Sequence, residues 1–236
     1  MKRILLFVPL LASCSLIDAA TKDKPNSTQQ NAIGDTFTQF GTIASVANDP
    51  AAATASDLAT AVQVEHLARL VRPSLGKPQA RGAAKPAPLP GCVADDGTSV
   101  SVDGCDIQID DGRSCQVDGN IAYQELGQAT RYEGTLDLGG EGCPDGNVTF
   151  TITLAGDPSS PTSVTGGATF SWIDPQGDDY SGMLELDDIA VTGACSVPSS
   201  GQLSVTVHGT AGGESVEGNL TLSFHESPGC GVILIE

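Results

Sequence analysis

Basic residues are scarce in this 236-residue sequence, which has 11 lysines and arginines against 29 aspartates and glutamates and a formal net charge of −18. After residue 91 the only basic residues are Arg113 and Arg131. Binding to nucleic acid depends on clustered basic side chains that contact phosphates, so the composition excludes a nucleic-acid partner. Long apolar runs are also missing, since no segment after the first residues approaches the roughly 20 residues that a membrane-spanning helix needs.

The first 14 residues have the layout of an export signal. A basic pair precedes the apolar stretch Ile4 to Leu11, and small residues follow it up to Cys14. This stretch is too short to cross a bilayer as a helix, so we predict a cleaved signal peptide. The segment Leu11-Ala12-Ser13-Cys14 resembles the lipobox of bacterial lipoproteins. The resemblance implies removal of residues 1–13 and acylation of Cys14.

Acylation of Cys14 would make a membrane the first partner of this chain. Two or three acyl chains anchor a protein stably, whereas a single chain binds reversibly. Ser15 follows the cysteine, and in enteric bacteria a residue other than aspartate at that position implies sorting to the outer membrane. The expected location is therefore the bacterial cell envelope, with the chain anchored by lipid at the outer membrane.

Six further cysteines lie after residue 91. An even number of cysteines in an exported chain predicts up to three disulfides. Six cysteines allow 15 pairings, and the sequence does not select one of them. No CxxC pair occurs, which disfavours a thiolate metal site. The predicted disulfide cysteines are Cys92, Cys105, Cys115, Cys143, Cys195 and Cys230.

Composition divides the mature chain into four parts. Residues 14–56 are small, polar and without a period, and we predict a flexible tether. Residues 57–75 carry apolar side chains at three- and four-residue steps, which predicts one amphipathic helix with only weak docking, because its stripe is mostly Ala and Val. Residues 76–91 contain four prolines and are predicted to be a linker. Residues 92–236 form the main domain.

Polar and apolar side chains alternate through the main domain, which is the two-residue period of a strand with one buried face. The alternation is unbroken over residues 147–154 and 202–208. The same period fits shorter segments: Leu136 and Leu138, Leu184 and Leu186, Leu220, Leu222 and Phe224, and the run Val232, Ile233, Leu234 and Ile235.

Asp-Gly and Gly-Gly pairs punctuate the alternating segments, and such pairs favour tight hairpin turns. They begin at residues 96, 103, 111, 118, 145, 166 and 212. Because no helical period intervenes, successive strands are expected to pair antiparallel. The predicted fold class is all-β: an antiparallel meander that forms a β-sandwich or a curved barrel, preceded by a flexible tether and one short helix.

The main domain carries 23 acidic and two basic residues, a net charge of −21. The plain interpretation is a solvated acidic surface with aspartates in turns, which favours solubility. One loop, residues 174–179, spaces its oxygens somewhat like the start of a calcium loop, although the glycine and glutamate of an EF-hand are missing. The candidate calcium ligands are Asp174, Asp178 and Asp179. Trp172 and Tyr180 flank this loop and are candidate ligand-binding residues.

Motifs of nucleophilic, zinc-dependent and phosphate-transfer catalysis are missing from the sequence, so we predict no catalytic residue. His208 and His225 each follow an inward-facing residue and are expected to point to solvent, too far apart to share a site. The expected function is that of a non-enzymatic binding or structural protein, with a protein or small-molecule partner left open and no cofactor apart from calcium. The alternatives are a ligand-carrying β-barrel for apolar molecules, a calcium-dependent adhesion or binding module, and an envelope hydrolase.

Overall fold

Ten strands in one sheet form most of the computed structural model, which describes residues 25–72, 91–109, 113–157, 160–173, 175–190, 198–225 and 232–235. Cys14 and the predicted signal peptide lie outside these residues, and so does most of the predicted linker. Three helices precede the sheet: α1 (Ser27–Asn48), α2 (Ala55–Ala61) and α3 (Glu65–Val71). The strands are β1 (Val93–Asp95), β2 (Ser99–Ile109), β3 (Arg113–Glu125), β4 (Ala129–Gly139), β5 (Asp145–Asp157), β6 (Ser160–Ile173), β7 (Asp179–Ala190), β8 (Ser200–Ala211), β9 (Glu214–His225) and β10 (Val232–Ile235).

The strand order is the order of the chain, β1 to β10, and every neighbouring pair is antiparallel. This confirms the predicted all-β antiparallel meander. Among the described residues the two end strands pair only with β2 and β9, so hydrogen bonds do not close the sheet into a barrel. The predicted period is confirmed as well, since Val148, Phe150 and Ile152 are buried while the threonines between them are exposed.

The predicted flexible tether over residues 14–56 is wrong from Ser27 onward, because a 22-residue helix, α1, begins there. Asn26 caps this helix: its side chain accepts from the backbone of Thr28 and Gln29, and the side chain of Gln29 accepts from the backbone of Asn26. Such a capping box satisfies amide groups that have no partner within a helix. The buried face of α1 includes Ile33, Phe40 and Ile43.

The single helix predicted over residues 57–75 is two short helices instead, α2 and α3, separated by a turn after Val62. The backbone of Gln63 donates to Thr60 in that turn, and the backbone of Leu67 donates to Val64 in the first turn of α3. Weak docking is also wrong, since Leu58 and Leu70 are fully buried together with Leu67. Leu58 and Leu70 therefore add large buried side chains to the alanines and valines of the expected stripe, which are buried or partly buried as well.

The helices lie inside the curve of the sheet. Helices α1 and α2 contact β2, α1 also contacts β3, and α3 contacts β8 and β9 near the other edge of the sheet. A Cβ atom at Gly218 would lie 2.9 Å from the side chain of Val71, so α3 rests on the inner face of β9. Helices and strands share one cluster of buried apolar residues. The sheet is therefore curved around a helical layer that spans its two edges.

Only some of the Asp-Gly and Gly-Gly pairs lie in turns between strands, and others lie inside strands. Those at residues 96 and 212 join β1 to β2 and β8 to β9, which confirms them. Asp103-Gly104 lies at a register shift inside β2, Asp118-Gly119 lies inside β3, and the pair at 145 opens β5. The pair at 166 lies inside β6 beside another register shift, and the pair at 111 lies outside the described residues. Within strands these glycines allow close backbone approach and bending.

Candidate functional site

The loop with the candidate calcium ligands joins β6 to β7, beside the hairpin between β8 and β9. Asp174 lies outside the described residues. The carboxylate of Asp178 accepts from the backbone amide of Gly212 at 2.7 Å, and that of Asp179 accepts from the hydroxyl of Thr210. These bonds tie the loop to the neighbouring hairpin. No group of three or more metal-ligating side chains occurs in the described part of the chain, and the calcium site stays a prediction.

Trp172 and Tyr180 are neighbours, since they pair across β6 and β7. Both belong to the hydrophobic core, with exposed fractions of 1% and 8%. Both rings point inward beside the loop, so neither presents an exposed face on which a ligand could stack. This burial does not support the predicted ligand-binding role of Trp172 and Tyr180, which stays a prediction.

Two of the predicted disulfides are present. Cys92 is bonded to Cys105, which links the start of β1 to β2, and Cys115 is bonded to Cys143, which links β3 to the turn before β5. The first bond holds the edge strand β1, which is only three residues long, against β2. The second bond ties β3 to the β4–β5 turn, two strands away. Cys195 and Cys230 lie outside the described residues.

Several acidic side chains accept hydrogen bonds from backbone amides. Asp96 accepts from the amides and hydroxyls of Thr98 and Ser99 in the turn between β1 and β2, and these bonds, the amides first, lower its pKa to about 2. Asp118 accepts from the amide of Gly104 at the irregularity in β2. This supports the plain interpretation of the charge, in which aspartates stabilise turns and bends.

A buried charged group that sequence reasoning missed lies between α1 and α3. Arg69 is almost fully buried, and its guanidinium is 3.9 Å from the carboxylate of Asp35. His66 is buried beside it, and the Nε2 atom of its ring has no hydrogen-bond partner. Burial, followed by the charge of Arg69, lowers the pKa of His66 to about 3. Desolvation also raises the pKa of Asp35, which Arg69 opposes. In the sequence His66 and Arg69 are polar residues of a predicted helix, and no local pattern indicates that they are buried.

His208 and His225 are exposed, as predicted. The Nδ1 atom of His208 lies 4.0 Å from a carboxylate oxygen of Glu217, its partner across β8 and β9. At the surface such a pair contributes little to stability. Neither histidine contacts a nucleophile in a described hydrogen bond, and the two lie at opposite ends of their strands.

The outer face of the sheet carries a row of six polar side chains and one exposed methionine, and the strand register aligns them across seven strands. The row, called here the hydroxyl row, comprises Asn120, Thr135, Thr149, Thr169, Met183, Thr206 and Asn219. The hydroxyls of Thr135 and Thr149 are 3.0 Å apart. Acidic residues lie on both sides of the row, among them Asp137 on one side and Glu133 and Glu185 on the other. This face can donate and accept hydrogen bonds and attracts cations.

In the parts of the chain that the structure describes, none of the helices combines the length and the apolar character needed to cross a bilayer. No protein family, no curated protein and no solved structure matches the chain.

Proposed function

We propose that this chain is a lipid-anchored protein of the bacterial cell envelope, with a non-enzymatic binding or structural role. The observation that carries the proposal is the pair of disulfides in the sheet, Cys92–Cys105 and Cys115–Cys143. Disulfides persist in the periplasm and at cell surfaces and are rare in the cytosol, so these bonds support export. Export in turn supports the signal peptide and the lipobox that the first 14 residues resemble.

The outer face of the sheet is the surface that fits such a role. Its hydroxyl row is flanked by acidic residues, and Arg131 is the basic residue described on that face, where it pairs with Glu133 at 2.8 Å. A partner with cationic or hydrogen-bonding groups matches this chemistry, because complementary charge speeds encounter and excludes anionic competitors.

A ligand-carrying barrel for apolar molecules is the main alternative, and it requires room inside the curved sheet. Side chains of the helices occupy that position: Phe40 and Ile43 of α1 and Leu67 of α3 are buried in the same cluster as the inner face of the strands. This packing favours a structural or surface-binding role over carriage. No observation on the described residues favours a calcium-dependent module or a hydrolase.

The lipid anchor is tested by labelling cells that express the full chain with an alkyne analogue of palmitate. We expect the label on the wild-type protein, and an intact mass that corresponds to loss of residues 1–13 and acylation of Cys14. The matched variant Cys14→Ser should carry no label and should leave the membrane fraction.

An unacylated wild-type chain with its first 13 residues still attached would overturn the proposed anchor. Free thiols at Cys92, Cys105, Cys115 and Cys143 in protein purified without reductant would overturn the export on which the anchor depends.

A further inference from the structure

We propose that the protein faces its own bilayer with one particular end of the sheet, the end that carries the β6–β7 turn and the β8–β9 hairpin, called here the Gly212 end. The opposite end, which carries the β3–β4 turn, is called the Gln128 end and points away from the membrane. The inference rests on the lipid anchor at Cys14 proposed above and adds the orientation of the anchored body.

The first turn of α1 lies at the Gly212 end. The side-chain amide of Gln29 donates to the backbone carbonyl of Leu70 at 3.1 Å, which places the start of α1 beside the end of α3. Two residues later, the guanidinium of Arg72 contacts the carboxylate of Glu214 at 2.6 Å and donates to the backbone carbonyl of Ser215. Both partners belong to the first residues of β9, directly after the β8–β9 hairpin.

The last turn of α1 lies towards the Gln128 end. The side-chain amide of Asn48, the final residue of the helix, donates to the hydroxyl of Tyr132 at 2.7 Å. Tyr132 is the fourth residue of β4, which begins directly after the β3–β4 turn. A helix of 22 residues is about 33 Å long at about 1.5 Å per residue. The two ends of the sheet are therefore separated by roughly the length of α1.

The connection between the anchor and α1 is short. Eleven residues separate Cys14 from Asn26, the cap of the helix. Even fully extended, such a connection spans at most about 40 Å, at about 3.3–3.6 Å per residue. A random chain of that length has an average end-to-end distance of about 20 Å. The anchor therefore holds the Gly212 end near the bilayer, whereas the Gln128 end lies farther out by about the length of α1.

The acidic residues at the Gly212 end disfavour adsorption of this end to the bilayer. The lipid anchor and its connection to α1, rather than adsorption, therefore set the orientation. Asp179 and Glu214 are exposed at the Gly212 end, and Asp178, which accepts from the amide of Gly212, is half-buried there. Carboxylates are repelled by the negative surface of a bilayer that contains anionic lipids. We therefore expect the Gly212 end to face the headgroups without inserting among them.

Energy transfer from two matched labelling positions tests the orientation. Gln176 in the β6–β7 turn and Gln128 in the β3–β4 turn are both exposed glutamines. The variants Gln176→Cys and Gln128→Cys of the full lipidated chain are labelled with a donor dye and incorporated into phosphatidylcholine vesicles that contain a lipid with an acceptor on its headgroup. We expect transfer from position 176 to exceed transfer from position 128 by about twofold, taking about 20 Å for a random chain of the length that joins Cys14 to Asn26.

Equal transfer from the two positions, or greater transfer from position 128, would overturn the orientation while leaving the anchor in place. A chain that does not float with the vesicles at all would overturn the anchor, and the orientation with it. As a control, an insert of about 20 Gly and Ser residues after Lys24 raises that random-chain distance to about 30 Å. The difference between the positions should then shrink, and a difference that the insert leaves unchanged would contradict the tether as its cause.

Discussion

Glycines inside the strands decide how closely neighbouring strands approach and how sharply they bend. Gly119 in β3 has a φ of +147°, which side chains of the L configuration rarely adopt, and a Cβ atom there would lie 2.1 Å from the carbonyl oxygen of Thr135 in β4. No side chain fits at that distance. A sheet that curves around a helical layer needs such positions, because glycine permits both the unusual φ and the close approach.

We expect Gly119→Ala to lower the free energy of unfolding by about 2–3 kcal/mol, since either the backbone or the neighbouring strand must move. The measurement is urea unfolding followed by circular dichroism. Gly139→Ala in β4 is the matched control, because a Cβ atom there has no heavy atom within 4 Å. The control should change stability by less than about 0.5 kcal/mol. Equal losses in the two variants would contradict close approach as the reason for Gly119.

His66 is expected to make the protein sensitive to mild acid. Its pKa is about 3 in the folded chain and about 6.5 in an unfolded chain. Below pH 6.5 His66 binds a proton in the unfolded chain but stays neutral in the folded chain. Its contribution to the free energy of unfolding is therefore complete above pH 6.5 and is lost as the pH falls towards 3. Between pH 6.5 and pH 5 we expect a loss of about 2 kcal/mol.

The same unfolding series on His66→Leu isolates this contribution. The variant should keep its stability between pH 6.5 and pH 5, because leucine neither titrates nor leaves a buried nitrogen without a partner. A wild-type loss that persists unchanged in the variant would assign the acid sensitivity to other groups.

At the scale of elements, α1 shows why the local sequence was insufficient to predict a helix. Gln29, Thr36 and Gln39 are buried, which interrupts the apolar period that predicts a helix. The amide of Gln39 donates to the carbonyl of Ala61 at 2.9 Å, and that of Gln29 donates to the carbonyl of Leu70. These carbonyls end α2 and α3, many residues away along the chain. The polar side chains are needed for helix packing that no local period reveals.

We expect Gln39→Ala to cost about 2–3 kcal/mol, because it leaves the carbonyl of Ala61 buried without this partner and opens a cavity. Thermal unfolding of the variant measures the loss. Asn31→Ala, an exposed position on the same helix, serves as the control and should be neutral or slightly stabilising, since alanine has the higher helix propensity. A Gln39→Ala variant as stable as Asn31→Ala would contradict the packing role.

The sequence predicts the strands more accurately than the helices. A strand with one buried face repeats every two residues, so segments such as 147–154 and 202–208 identified β5 and β8 directly. Glycine pairs were ambiguous, because a glycine serves equally in a hairpin turn and in a bent strand, as Gly212 and Gly119 do. The burial of Trp172 and Tyr180 depended on the strand register beside the loop, which the sequence does not contain.

The strand register also narrows the pairing of the remaining cysteines. The connection after β7 leaves at Ala190 and returns at Ser200, and the connection after β9 leaves at His225 and returns at Val232. The four strand ends that flank these connections all lie at the Gln128 end, on adjacent pairs of strands. Cys195 lies in the first connection and Cys230 in the second.

We therefore predict a third disulfide between Cys195 and Cys230. Proteolysis without reductant, followed by mass spectrometry, should yield one linked peptide that contains both cysteines and separates after reduction. The peptides of the two described disulfides serve as internal controls. Recovery of Cys195 or Cys230 as a free thiol from oxidised protein would contradict the pairing.

At the scale of the whole molecule, the charge and the core act in opposite directions. The segment after residue 91 carries a net charge of −21, and self-repulsion opposes compaction. The disulfides restrict the unfolded chain, and a core shared by helices and strands removes apolar surface from water. Hydrogen bonds join the helical layer to the sheet through Arg72 and Asn48. Another joins α1 to α3 through Gln29. The helices are thus part of the domain rather than an appendage before it.

Hydrogen exchange under native conditions tests this central claim most directly. If helices and sheet share one cooperative core, amides of α1 between Ile33 and Ala47 and amides of β5 between Val148 and Leu154 should exchange through the same global opening, with opening free energies that agree within about 1 kcal/mol. Exchange of the α1 amides through an opening that leaves the β5 amides protected would contradict the account, because the helical layer would then be separable from the sheet.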